Sequence, residues 1–203
     1  MNYGEIKTAV TNIAVRSDLT AHMSTFTKQA ESDIRSDVRV PEMEATATLS
    51  LTSRTVALPT GCLGVRRIVI DRSTAPWDLD YLPPNRLYSA AAYHESGGNP
   101  FAYTIEGTNL VFAPAPADNP DALVHYYKAF DAFSLDADTN ALSADHPNVY
   151  IYGMLKYVGI FLHDTEKAGL WSQLYASAVS KANGEAMRRR RGPRSARTGV
   201  PTP

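Results

Sequence analysis

The chain has 203 residues, 44% of them hydrophobic, with 20 Lys and Arg against 21 Asp and Glu. That length suits one domain or two small ones with an ordinary core. The single cysteine, Cys62, excludes an internal disulfide and any multi-cysteine metal site, and fits a reducing compartment. Glu5 and Lys7 interrupt the opening residues where a secretion signal needs an apolar run, and no apolar run reaches the roughly twenty residues of a membrane span. The expectation is a soluble chain with no export signal of its own and no membrane partner. The net charge of −1 hides an asymmetry. Six arginines, Arg188, Arg189, Arg190, Arg191, Arg194 and Arg197, close the chain with no acidic residue among them, which leaves the rest with 14 basic and 21 acidic residues. An acidic body should repel nucleic acid, and a basic tail should seek an acidic surface.

In chain order, residues 2–15 read as a helix. Asn2 and Glu5 resemble a capping box, and Tyr3, Ile6, Val10 and Ile13 fall at helical spacing. A second helix follows from about Thr20 or Ser24 to Val38, with Phe26, Ala30, Ile34 and Val38 on one side, ended by Pro41. Period-2 alternation then takes over. Residues 44–51 and 54–59 read together as a hairpin, 65–70 as a third strand and 77–79 as a short fourth. Residues 83–93 suggest a brief helix opened by prolines. FAYTIEGTNLVFAP (101–114) reads as a hairpin, 122–129 as a further strand, and 131–144 as a polar loop.

The last quarter returns to helix. Pro147 suits a first turn, and Ile151, Leu155, Val158 and Leu162 make one apolar face. Tyr150, Met154, Tyr157 and Phe161 make an adjacent one. A helix apolar nearly all round is either the centre of a bundle or covered in part by a neighbouring subunit. Asp164 or Thr165 caps a final helix buried along Trp171, Leu174, Ala178 and Ala182. Gly184 should weaken it by about 1 kcal/mol relative to alanine, so that its last turns fray or bend. The resulting fold class is α+β: a helical bundle built from N- and C-terminal helices (1–43 and 144–187), an inserted antiparallel β-rich domain (44–143), and an extended basic C-terminal tail (188–203).

Reactive chemistry finds little support. His22, His94, His125, His146 and His163 are scattered, and GxSxG, GxGxxG and P-loop patterns are absent. Asp136–Asn140 mimics the start of a calcium loop, but Ala141 replaces the turn glycine and Pro147 the closing glutamate. The expectation is no enzyme, no metal and no cofactor. The arginine run by itself supports a nucleic-acid-binding protein as the alternative.

Collinear segments carry a family resemblance. They are YGEIKTAVTNIAVRSDLT, FTKQAESDIRSDVRVPEMEATATLSL, TVALPTGCLGVRRIVID, IEGTNLVFAPAP, VHYYKAF and HPNVYIYGMLKYVGIFLHDTEKAGLWSQLYASAV. Together, over about residues 2–183, the chain resembles the head-to-tail adaptor (connector) proteins of tailed bacteriophages, of the short-tailed type. The resemblance implies a virion protein, assembled in the host cytoplasm, that forms a homo-oligomeric ring of 12 copies under the portal protein. Such a ring continues the DNA channel without sequence-specific binding and carries later tail or nozzle proteins. It also implies that the C-terminal tail, with its six arginines, grips the portal. Tyr150, Met154, Tyr157, Phe161 and Trp171 are then the candidates for subunit packing.

Overall fold

A computed structural model describes residues 1–71, 75–95 and 97–191. The helices in chain order are α1 (Tyr3–Ala14), α2 (Met23–Asp37), α3 (Pro84–Ser89), α4 (Ala91–His94), α5 (Ala141–Asp145), α6 (Pro147–Phe161) and α7 (Thr165–Arg191). The strands are β1 (Glu44–Ser50), β2 (Thr55–Ala57), β3 (Cys62–Asp71), β4 (Trp77–Asp78), β5 (Asp80–Tyr81), β6 (Ala102–Glu106), β7 (Asn109–Ala113) and β8 (Asp121–Lys128). Two compact units result: Met1–Glu42 with Phe130–Pro203, and Met43–Ala129. The fold is α+β, with an antiparallel-rich insert between the N- and C-terminal helices.

In the helical unit, α1 opens on a two-way cap. Glu5 N–H donates to Asn2 Oδ1 at 2.8 Å, and Asn2 N–H donates to Glu5 Oε2 at 2.9 Å. Tyr3, Ile6 and Val10 are buried, whereas Ile13, one turn further along the expected stripe, is 48% exposed. A 3-10 turn over Asp18–His22 buries Leu19 and leads into α2, which buries Met23, Phe26, Ala30 and Ile34. The segment expected to be a polar loop holds a short helix. Asn140 accepts from Ser143 N–H at 2.9 Å while Ser143 Oγ accepts from Asn140 N–H at 3.0 Å, and this reciprocal cap starts α5. Its single turn carries too few apolar positions for periodicity to register.

Helix α6 is the centre of the unit and packs against α1, α2, α5 and α7. Val149, Tyr150, Met154, Leu155 and Val158 are each at most 1% exposed, so the chain itself covers most of the helix's apolar girth. Two glycines permit the close approaches. A Cβ on Gly153 would lie 3.2 Å from Ala30 Cβ, and one on Gly159 would lie 2.8 Å from Ala168 Cα. The α6–α7 elbow is therefore held backbone to backbone, and Asp164 caps α7 by accepting from Lys167 N–H at 3.0 Å.

In the β unit, one sheet has the order β1-β8-β3-β4 and the other β2-β7-β6-β5, with antiparallel pairing throughout except for β5 with β6. The expected hairpin over 44–59 does not form: β1 pairs with β8 and β2 with β7, in different sheets. The four residues between them, Leu51-Thr52-Ser53-Arg54, contain no Gly or Asn to supply the positive φ of a tight return. Leu51, fully buried, instead donates its N–H to Pro120 O at 2.9 Å and carries the chain across. The hairpin over 101–114 does form, as β6–β7, turning at Gly107 with φ 58°. Ile68, Ile70, Leu110, Phe112, Ala122, Val124 and Tyr126 fill the core shared by the two sheets. Leu87 of α3 covers Ala102, Val111 and Ala113 on the second face of the β6–β7 pair.

Candidate functional site

The arginine-rich end is helical where it begins. Residues Arg188–Arg191 are the last turn of α7 rather than the start of an extended tail. Arginine is a good helix former, and cations at a helix C-terminus complement its negative dipole end, so Gly184 does not stop the helix. Ala182 and Ala186 are buried, and Asn183 clamps the end of α2 from both sides. Its amide donates to Asp37 O at 2.9 Å, and its Oδ1 accepts from Arg39 N–H at 2.9 Å. Arg189 forms an ion pair with Glu42. Arg188 and Arg190 are exposed, and Arg194 and Arg197 lie outside the described residues. The basic end thus springs from a fixed point on α2.

The five residues singled out for subunit packing separate into two groups. Tyr150 at 1%, Met154 at 0% and Trp171 at 7% exposure belong to the chain's own core, and Asn140 donates its amide to the Tyr150 hydroxyl at 2.8 Å. An adjacent apolar face in sequence is therefore an inward face in space, because α2 and α7 flank α6 on both sides. Tyr157 is half-buried and Phe161 is 45% exposed. The Phe161 ring lies edge-on to Phe26 at 5.6 Å and 4.8 Å from His22.

Those ring contacts place the start of α2 beside the end of α6. The links α1–α2 and α6–α7 therefore meet at one end of the bundle. That end carries Val15 at 84% exposure, Ile160 at 58%, Leu170 at 54% and Ile13 at 48%, and His22, Phe26 and Phe161 line a shallow groove in it. Val15 also adopts φ 53°, a left-handed conformation that is unusual for a β-branched residue and costs about 1–2 kcal/mol. Sequence reasoning missed this end. Its signal was Val15-Arg16-Ser17 closing a helix with no glycine or asparagine in the left-handed position.

Behind the groove lies a polar brace. Tyr157 OH donates to Asp33 at 2.8 Å, Tyr175 OH donates to Asp37 at 3.1 Å, and the Lys156 ammonium meets Asp33 at 2.5 Å. Burial, then the bond to Asp33, pushes the Tyr157 hydroxyl up to about 12, and burial with the Asp37 charge pushes Tyr175 up as well. Both remain protonated donors, and the brace fixes α2, α6 and α7 together. Among the described residues, no group of three or more His, Cys, Asp or Glu side chains could hold a metal. Burial pushes the Cys62 thiol up, away from a reactive thiolate. The Asp136–Asn140 stretch is turn chemistry: Asp138 accepts from the N–H groups of Ser134 and Leu135, both at 2.7 Å, and Asp136 pairs with Lys7.

The family model described as SU10 adaptor protein matches residues 1–199. The chain belongs to the SU10 adaptor protein family. Membership agrees with the likeness to bacteriophage head-to-tail adaptors carried by the collinear segments, and makes the protein a structural adaptor of a phage. No curated protein matches the chain. No helix among the described residues is long and apolar enough to cross a membrane.

Proposed function

We propose that the protein forms an oligomeric ring, of 12 copies by the family resemblance, that docks beneath the portal, continues the DNA channel and carries the tail components that follow. The family match across nearly the whole chain is the observation that carries this reading. The exposed apolar end of the helical unit supports it, because a soluble structural protein gains most from such a surface when a neighbour covers it. In this reading Phe161 and Tyr157 meet the next copy, while Tyr150, Met154 and Trp171 hold α6 firm beneath them. The acidic remainder of the chain, 21 acidic against 14 basic residues, suits a passage through which DNA slides without sticking.

The C-terminal segment reaches the portal with its arginines, starting from the anchored turn at Arg188–Arg191 and continuing through Arg194 and Arg197. Deleting residues 188–203 should leave a folded protein that no longer joins the portal. A variant with Arg188, Arg190, Arg194 and Arg197 all replaced by Gln, sparing the Arg189–Glu42 pair, should weaken docking in the same direction. Undiminished portal attachment in both would reject the tail's role. The exposed Arg188 and Arg190 also keep a second reading in view, nucleic-acid binding through the arginines. It requires tight, strongly salt-dependent DNA binding by the isolated protein, and no binding at low salt would end it.

A further inference from the structure

The longest edge strand of the β unit lacks the devices that usually keep such an edge unpaired. β1 runs seven residues at the rim of its sheet and pairs with β8 in unbroken register from Glu44↔Tyr127 to Ser50↔Asp121. Along its other side, residues 45–49 make no backbone hydrogen bond among the described residues, and Ser50 O accepts from Thr52 N–H at 3.0 Å where the strand ends. Natural edges are blunted by proline, lysine, a bulge or brevity, and a flat unblunted edge is a template for another strand. β1 has no proline, no lysine and no bulge.

The strand is also close to symmetric about Ala47. Its sequence EATATLS puts Ala45, Ala47 and Leu49 toward the core and leaves Thr46, Thr48 and Ser50 exposed. In an antiparallel pair of two such strands centred on Ala47, Thr46 stands opposite Thr48 of the second copy, twice. Ala45 stands opposite Leu49, and Glu44 opposite Ser50. No like charges meet, and Thr–Thr neighbours across strands are favourable. A one-residue shift would centre the axis between residues and place alanines opposite threonines, core face against solvent face, so the pleat excludes odd shifts, and among the others the register centred on Ala47 pairs the whole strand.

We infer that β1 is a self-pairing surface, whose partner is β1 of a second copy related by a two-fold axis through Ala47. The sheet then continues across two chains, β4-β3-β8-β1 meeting its own mirror order. An isologous contact of this kind joins two copies in opposite directions, whereas copies in a cyclic ring all point the same way. The pair is therefore a state of the unassembled protein and is separate from the ring contact proposed above.

Sedimentation velocity of the full chain over a wide concentration range tests it. The expected result is a monomer–dimer equilibrium, with hydrogen exchange in residues 45–50 slowing as the dimer forms. The Thr46→Lys/Thr48→Lys double variant puts lysine opposite lysine and should be monomeric throughout, as should Thr46→Glu/Thr48→Glu. Mixing the two charge variants in equal amounts puts lysine opposite glutamate and should restore the dimer, which a misfolded variant could not do. A chain that is monomeric at every concentration overturns the inference. So does a dimer that persists in both variants, or a mixture that fails to reassociate. A ring that forms on the portal from either charge variant leaves the ring reading standing whatever the fate of the dimer.

Discussion

Replacing Gly159 by alanine should destabilise the protein, even though alanine is the better helix former. In an open helix interior the exchange gains about 1 kcal/mol. At Gly159 the new Cβ would sit 2.8 Å from both the Cα and the N of Ala168 and 3.0 Å from its Cβ. These are backbone atoms of α7, not a flexible side-chain end, so the elbow itself must open. Overpacking of this kind costs about 1–3 kcal/mol. Set against the propensity gain, the net loss is about 0–2 kcal/mol. Gly184 supplies the control, because a Cβ there would meet nothing within 4 Å. Gly184→Ala should therefore stabilise the protein by about 1 kcal/mol. In a chain of this size each kcal/mol moves Tm by about 2–4 °C. Thermal melts of the two variants followed by circular dichroism should thus move in opposite directions. If Gly159→Ala raises Tm as Gly184→Ala does, the close α6–α7 contact is not what fixes the elbow.

Further consequences concern buried polar groups. Thr104, fully buried in β6, has a hydroxyl with no hydrogen-bond partner among the described residues, so Thr104→Val should raise stability by about 1 kcal/mol in a chemical denaturation curve. Glu31 is buried and accepts from Phe133 N–H at 2.9 Å, and burial pushes its carboxyl above the ordinary range. A raised folded pKa favours the protonated fold, so the stability tied to Glu31 is full at acid pH and is lost as pH climbs through that pKa. Glu31→Gln keeps the acceptor and should be more stable than the parent at neutral pH. The gap should close at acid pH, and a gap that widens there would contradict the burial argument. Tyr157→Phe removes the bond to Asp33 and should cost about 1 kcal/mol in the same denaturation assay.

Much of the helical unit was legible because its signals are local. The Asn2–Glu5 cap, the Phe26–Ala30–Ile34 stripe and Pro147 at a first turn each depend on residues within a few positions of one another. The β6–β7 hairpin was legible for the same reason, since Gly107 announces its own turn. What could not be read were choices made between distant segments. Alternation marks residues 44–51 and 54–59 as strands, but only the long-range partners β8 and β7 decide that they enter different sheets. The same limit applies to the residues expected to pack subunits. Periodicity places Tyr150, Met154 and Phe161 on one stripe, yet α2 and α7 bury the first two and leave the third at the exposed end of the bundle. The arginine run was legible as charge. That its first turn is helical and anchored through Arg189 to Glu42 depends on a residue 147 positions away.

The central claim, a ring that joins the portal, is tested most directly by mixing the purified chain with the portal of the same virus and measuring the mass of the complex. The account predicts a discrete multiple of this chain bound to each portal ring, and its loss when residues 188–203 are removed. A chain that stays unbound, or that binds in no fixed number, would contradict it.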